Sequence, residues 1–96
     1  MRVRRPTTVA WVEDGGTWYV SHLLDGGIAV LEGSAALIWR EAIAGEADVD
    51  EIATRVAGAI GAETEDIADD VRGLVAELVA LGLLSELPVQ DPGSPA

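Results

Sequence analysis

The chain has 96 residues, 49% of them apolar, which is enough for one domain with a core of its own. It contains no cysteine, so disulfides, thiolate nucleophiles and cysteine metal sites are excluded together. Six arginines, no lysine and seventeen carboxylates leave a net charge of −11, a field that repels phosphate backbones and anionic lipid and favours a cationic or neutral partner, as well as solubility. No apolar run reaches the roughly 20 residues of a membrane span. The basic start, Met1 to Pro6, has no apolar stretch behind it and does not read as a signal peptide, so a cytoplasmic protein is expected.

In chain order, residues 1–6 are expected to be a flexible basic segment. Thr7–Glu13 and Thr17–Leu24 are rich in β-branched and aromatic residues and read as strands. Each is followed by Asp-Gly-Gly, at Asp14-Gly15-Gly16 and at Asp25-Gly26-Gly27, residue types that supply the positive φ of tight hairpin turns. The third strand is Ile28–Leu31, which gives a three-stranded antiparallel meander. From Ser34 the period becomes helical. Ser34 can cap a first helix through Leu37, Ile38, Trp39 and Ile43 to Gly45. Asp48 or Asp50 starts a second, with Ile52, Val56 and Ile60 on one face before Gly61. Thr64 opens a third, with Glu65 and Asp66 well placed for its dipole, ending at Gly82. The expected domain is thus 7–86, α+β, a meander followed by three helices; residues 87–96, with three prolines, are expected to form a disordered tail.

Candidate chemistry is sparse. His22 is the single histidine, so a transition-metal site has no natural ligand set and no cofactor is expected. Ser21 is adjacent to it on a strand, and adjacent strand residues point to opposite faces. The carboxylates Glu63, Glu65, Asp66, Asp69 and Asp70 lack the alternation of a calcium loop. There is no phosphate-binding glycine loop and no acyl-carrier attachment motif. The protein is not expected to be an enzyme.

Binding fits better. A meander has two edges, and an exposed edge accepts an extended peptide as a further strand. Ile28, Ala29, Val30 and Leu31 form one such edge. On the third helix, at about 100° per residue, Ile67, Val71, Leu74, Leu78 and Leu81 cover one sector. Ala68, Val75 and Val79 widen it to roughly 160°, more than the ~100° a core needs. Either this helix is buried on two sides, or the Ala68-Val75-Val79 flank is one wall of a groove, with Val71 beneath it and Arg72 at its border to hold an acidic ligand side chain.

Three stretches resemble a known family. Leu31-Glu32-Gly33-Ser34-Ala35-Ala36-Leu37-Ile38-Trp39 is similar to the Leu-Asn-x-Thr/Ser-Ala-x-x-Ile-Trp passage of PqqD-like proteins, the RiPP recognition elements. Gly45 with Val49-Asp50-Glu51-Ile52-Ala53 resembles their second helix, and Ile67-Ala68-Asp69-Asp70-Val71 with Leu81-Gly82-Leu83-Leu84 their third. Glu32 departs from the pattern, standing where many members have Asn. The resemblance spans Val9 to Ser85. It implies a winged-helix-like, non-catalytic subunit that binds the leader of a ribosomally made precursor peptide between strand three and helix three. A separate modifying enzyme, such as a radical SAM enzyme, protease or cyclase, acts on the core peptide. The alternatives are a winged-helix DNA-binding regulator and a generic protein-interaction module. The former should present a basic helix, whereas helices two and three carry one arginine each, Arg55 and Arg72.

Overall fold

Gly15 and Gly16 both adopt positive φ, at 59° and 89°, and close a two-residue turn that pairs Asp14 with Thr17. A computed structural model of the protein describes residues 1–88. The turn joins β2 (Val9–Asp14) to β3 (Thr17–His22), which pairs on its other side with β4 (Ile28–Leu31) in the order β2-β3-β4. The β3–β4 turn is tied by Gly26 N–H donating to His22 O at 2.9 Å and by Asp25 Oδ1 accepting from Gly27 N–H at 2.9 Å. Three helices follow, α1 (Ser34–Ile43), α2 (Val49–Ile60) and α3 (Thr64–Ala80). The meander and the helices are those expected from the turns and periodicities.

The expected caps differ in one place. Ser34 is the first residue of α1, and the capping position falls on Gly33, at φ 61°, with no side-chain bond. Asp48 caps α2, its Oδ1 accepting from Asp50 N–H at 3.0 Å. The end of α3 is a Schellman motif: Gly82, at φ 77°, donates to Val79 O at 3.0 Å and Leu83 donates to Leu78 O at 2.9 Å. Its apolar contact is built in, because Leu78 and Leu83 are both buried.

The structure corrects the expectation of a flexible segment over residues 1–6. Arg2–Arg4 is a strand, β1, at the centre of a second sheet between β5 (Ala47–Asp48) and β6 (Ser85–Glu86). Val3 pairs antiparallel with Ala47 on one side and Glu86 on the other and is fully buried, while Arg2 and Arg4 point outward. Burial of Val3 and pairing on both edges outweigh the entropy of a free end. The remainder of the expected tail, residues 89–96, lies outside the described residues.

The core joins the layers. Val9, Val20 and Leu31 from the inner face of the meander meet Ile38 and Trp39 of α1, Ile52 and Val56 of α2, and Val71, Val75 and Leu78 of α3. Trp39 is fully buried and stands edge-on to Trp11, ring centroids 6.4 Å apart at 74°. Arg5 lies over the Trp11 ring, its Cζ 4.4 Å from the centroid.

Val3→Ala should cost roughly 1–3 kcal/mol in urea denaturation, whereas a flexible end would show no change. The Asp48 carboxyl is held below its ordinary value chiefly by the Asp50 N–H bond, with the Met1 ammonium and Arg2 adding to the effect against some desolvation. A depressed folded pKa means that its stabilisation is complete above the ordinary carboxylate value, about 4, and fades as pH falls through the folded value. Asp48→Ala should therefore destabilise by about 1 kcal/mol at neutral pH. Asp48→Asn should keep the cap and flatten the acid limb of the stability curve.

Candidate functional site

The register of the first hairpin dictates what β4 shows to solvent. Asp14 and Thr17 flank a two-residue turn and form a hydrogen-bonded pair, and such pairs alternate along an antiparallel ladder. Thr17, Tyr19 and Ser21 therefore bond to β2, leaving Trp18, Val20 and His22 to bond to β4. His22 N–H accordingly donates to Gly27 O at 3.2 Å. With Trp18 opposite Leu31 and Val20 opposite Ala29, the intervening residues Ile28 and Val30 direct their N–H and C=O groups away from the sheet. β4 ends the strand order, and among the described residues no strand pairs with this edge.

Side chains alternate with the same period. Ala29 and Leu31 face inward with Val20 and Trp18, whereas Ile28 (70% exposed) and Val30 (54%) stand on the outer face. Tyr19, opposite Val30, and Val12, opposite Tyr19, extend that outer face into an exposed apolar row across all three strands. His22 and Ser21 are on opposite faces, as adjacent strand residues must be. His22 is half-buried: its Nδ1 accepts from Leu24 N–H at 3.3 Å, and its Nε2 lies 3.4 Å from Thr8 Oγ1. Its ring packs against the Gly82 Cα, where an added Cβ would lie 3.4 Å from Cδ2. Histidine and glycine together bring the end of β3 against the end of α3.

A cavity of about 140 Å³ opens at that junction, lined by His22, Asp25, Gly27, Ile28, Ala29, Leu81 and Leu83. Leu81 identifies the flank of α3 that faces β4. Ile67 and Leu74 precede it at seven-residue intervals, which stacks all three along one line of the helix within about 20° per heptad. Ile67 and Leu74 are half-buried against the core and Leu81 is 54% exposed. Leu81 thus stands across from β4 at the cavity, and Ile67 and Leu74 continue its line along the helix.

The residues expected on α3 lie elsewhere. Val71 and Val75 are 1% and 0% exposed and belong to the core, so they line no open groove. Arg72 points to α2: its Nη2 donates to Asp50 Oδ1 at 3.0 Å and its Nη1 to Asp69 Oδ1 at 3.2 Å. These carboxylates, the Asp50 hydrogen bond first, raise its pKa above the ordinary value. Ala68 and Val79 share the Arg72 side of the helix and are half-buried toward α2. The apolar arc is broad because α3 packs on α2 with one flank and leaves the other beside β4; periodicity shows the width and cannot say which flank is which. Of the expected residues, the structure brings Ile28 and Ala29 together with Leu81, places Val30 on the open edge, and buries Leu31 beneath it.

The arrangement offers main-chain donors and acceptors, an apolar wall and a side-chain-sized cavity. Among the described residues no group of three or more histidines and carboxylates is placed to hold a metal ion, and no helix is long and apolar enough to cross a membrane.

No curated protein matches the chain. Among solved structures, TbiB1, determined in complex with the TbiA(beta) leader peptide, superposes with a TM-score of 0.78 at 17% identity, covering 90% of this chain and 99% of that one. The fold is thus shared with a protein that binds a leader peptide. The model of the family described as coenzyme PQQ synthesis protein D matches residues 15–84, from the first hairpin turn to the end of the Schellman motif, and the chain belongs to the PqqD family.

Proposed function

We propose that the protein binds the leader of a ribosomally made precursor peptide as a strand added to β4 and presents that peptide to a separate modifying enzyme. The observation that carries the reading is the open edge of β4 at Ile28 and Val30, facing an apolar helix flank across a groove with a cavity at one end. An added strand bonds to these main-chain groups whatever its sequence, and every second side chain turns inward toward Ile67, Leu74 and Leu81. The cavity then holds one apolar anchor. Ordering a flexible leader offsets part of the gain, so affinity is moderate and rises when the enzyme binds the same peptide. The apolar row of Val12, Tyr19 and Val30 on the outer face supports the second half of the reading, since an enzyme seated there leaves the edge free. All six arginines lie against carboxylates or Trp11, which favours a peptide over a duplex.

Val30→Pro removes an outward N–H without breaking the ladder to β3. The folded variant, checked by circular dichroism, should lose binding of a fluorescein-labelled leader from a precursor peptide that the unaltered protein binds. It should also fail to support processing of that full precursor by its modifying enzyme. Unchanged affinity would sink strand addition. A second measurement separates the two flanks of α3. Leu81→Ser should weaken that leader roughly tenfold, while Arg72→Ala leaves it unaltered; the reverse order would return the groove to the α2 side.

A further inference from the structure

The charges around the groove are sorted by sign. Asp25 stands at the cavity, Glu32 follows the last residue of β4, and Asp70 and Glu77 lie one step outside the Leu74-Leu81 line of α3. All four are exposed, and none has a lysine or arginine partner. The protein's cations are committed elsewhere. Arg2 and Arg55 meet Glu51, Arg4 meets Glu46, Arg40 meets Glu41, and Arg72 meets Asp50 and Asp69. Arg5 covers Trp11 on β2, the far edge strand of the meander. The groove is thus an apolar slot with carboxylates at both ends of its strand wall and along its helix wall.

We propose that the peptide taken by this groove is basic, with lysine or arginine side chains flanking an apolar anchor. This inference rests on the strand-addition reading and deepens it by naming the chemistry of the ligand. Inward side chains of an added strand meet the apolar wall, and a long cationic side chain beside them reaches Asp70 or Glu77 while its methylenes cover Leu74 and Leu81. Each such pair is weak when exposed, but several of one sign select against acidic peptides and speed encounter. Selection of this kind suits an added strand, whose main-chain bonds discriminate little between sequences.

The test is to pan a random peptide library displayed on phage against the whole protein, and then to titrate synthetic copies of the enriched peptides at low and high salt. Enriched peptides should carry net positive charge, weaken as salt rises, and fail to bind the Val30→Pro variant. Asp70→Asn with Glu77→Gln should weaken them by about tenfold. The same charge change at Glu13 and Glu86, on β2 and β6, should do little. Neutral or acidic peptides that still require Val30 would overturn this inference and leave strand addition standing, as would equal effects from both double variants. Peptides indifferent to Val30→Pro, or no enrichment at all, would overturn strand addition and this inference with it.

Discussion

Two glycines at φ 59° and 89° set the distance at which β2 and β3 meet, and every later hydrogen bond of the meander inherits that phase. Shift the register by one residue and Val20 would leave the core while Tyr19 entered it. The same shift would turn the N–H groups of Ile28 and Val30 into the sheet and those of Ala29 and Leu31 out of it. Core and open edge consequently share one phase, set at Gly15 and Gly16 and handed on to β4 by the turn between His22 and Gly27.

α3 completes the site because it does two jobs with one surface. Val71, Val75 and Leu78 seal the core, Ala68 and Val79 lean toward α2, and Leu81 stands at the strand edge with Ile67 and Leu74 on its line of the helix. The Schellman motif stops the helix where Leu83 folds back on Leu78, and Gly82 admits the His22 ring. A larger residue at position 82 would be strained by the positive φ, while its Cβ would only touch the imidazole, so it is the backbone conformation that asks for glycine there.

The parts of this fold that were legible in the sequence are those with a repeating signal. The two Asp-Gly-Gly turns mark the meander, the four-residue spacing of Ile52, Val56 and Ile60 marks α2, and Gly61 marks its end, while Asp48 and Asp50 both offer a start that the structure settles on Asp48. The edge of β4 followed from strand order alone. By contrast, β1, β5 and β6 have three, two and two residues, too few for an alternating pattern to appear, and their pairings join distant parts of the chain. Which flank of α3 faces β4 is hidden in the sequence for a related reason: a helical wheel gives angles between residues but no external direction. Arg72 between Asp50 and Asp69 supplies that direction.

The second sheet also sets where the chain enters and leaves. Leu87 N–H donates to Arg2 O at 2.8 Å, so the first and last strands run side by side and both ends of the described chain emerge at one spot. A domain closed in this way behaves as a plug-in: spliced into a loop of a larger protein, it needs only a narrow gap between its attachment points.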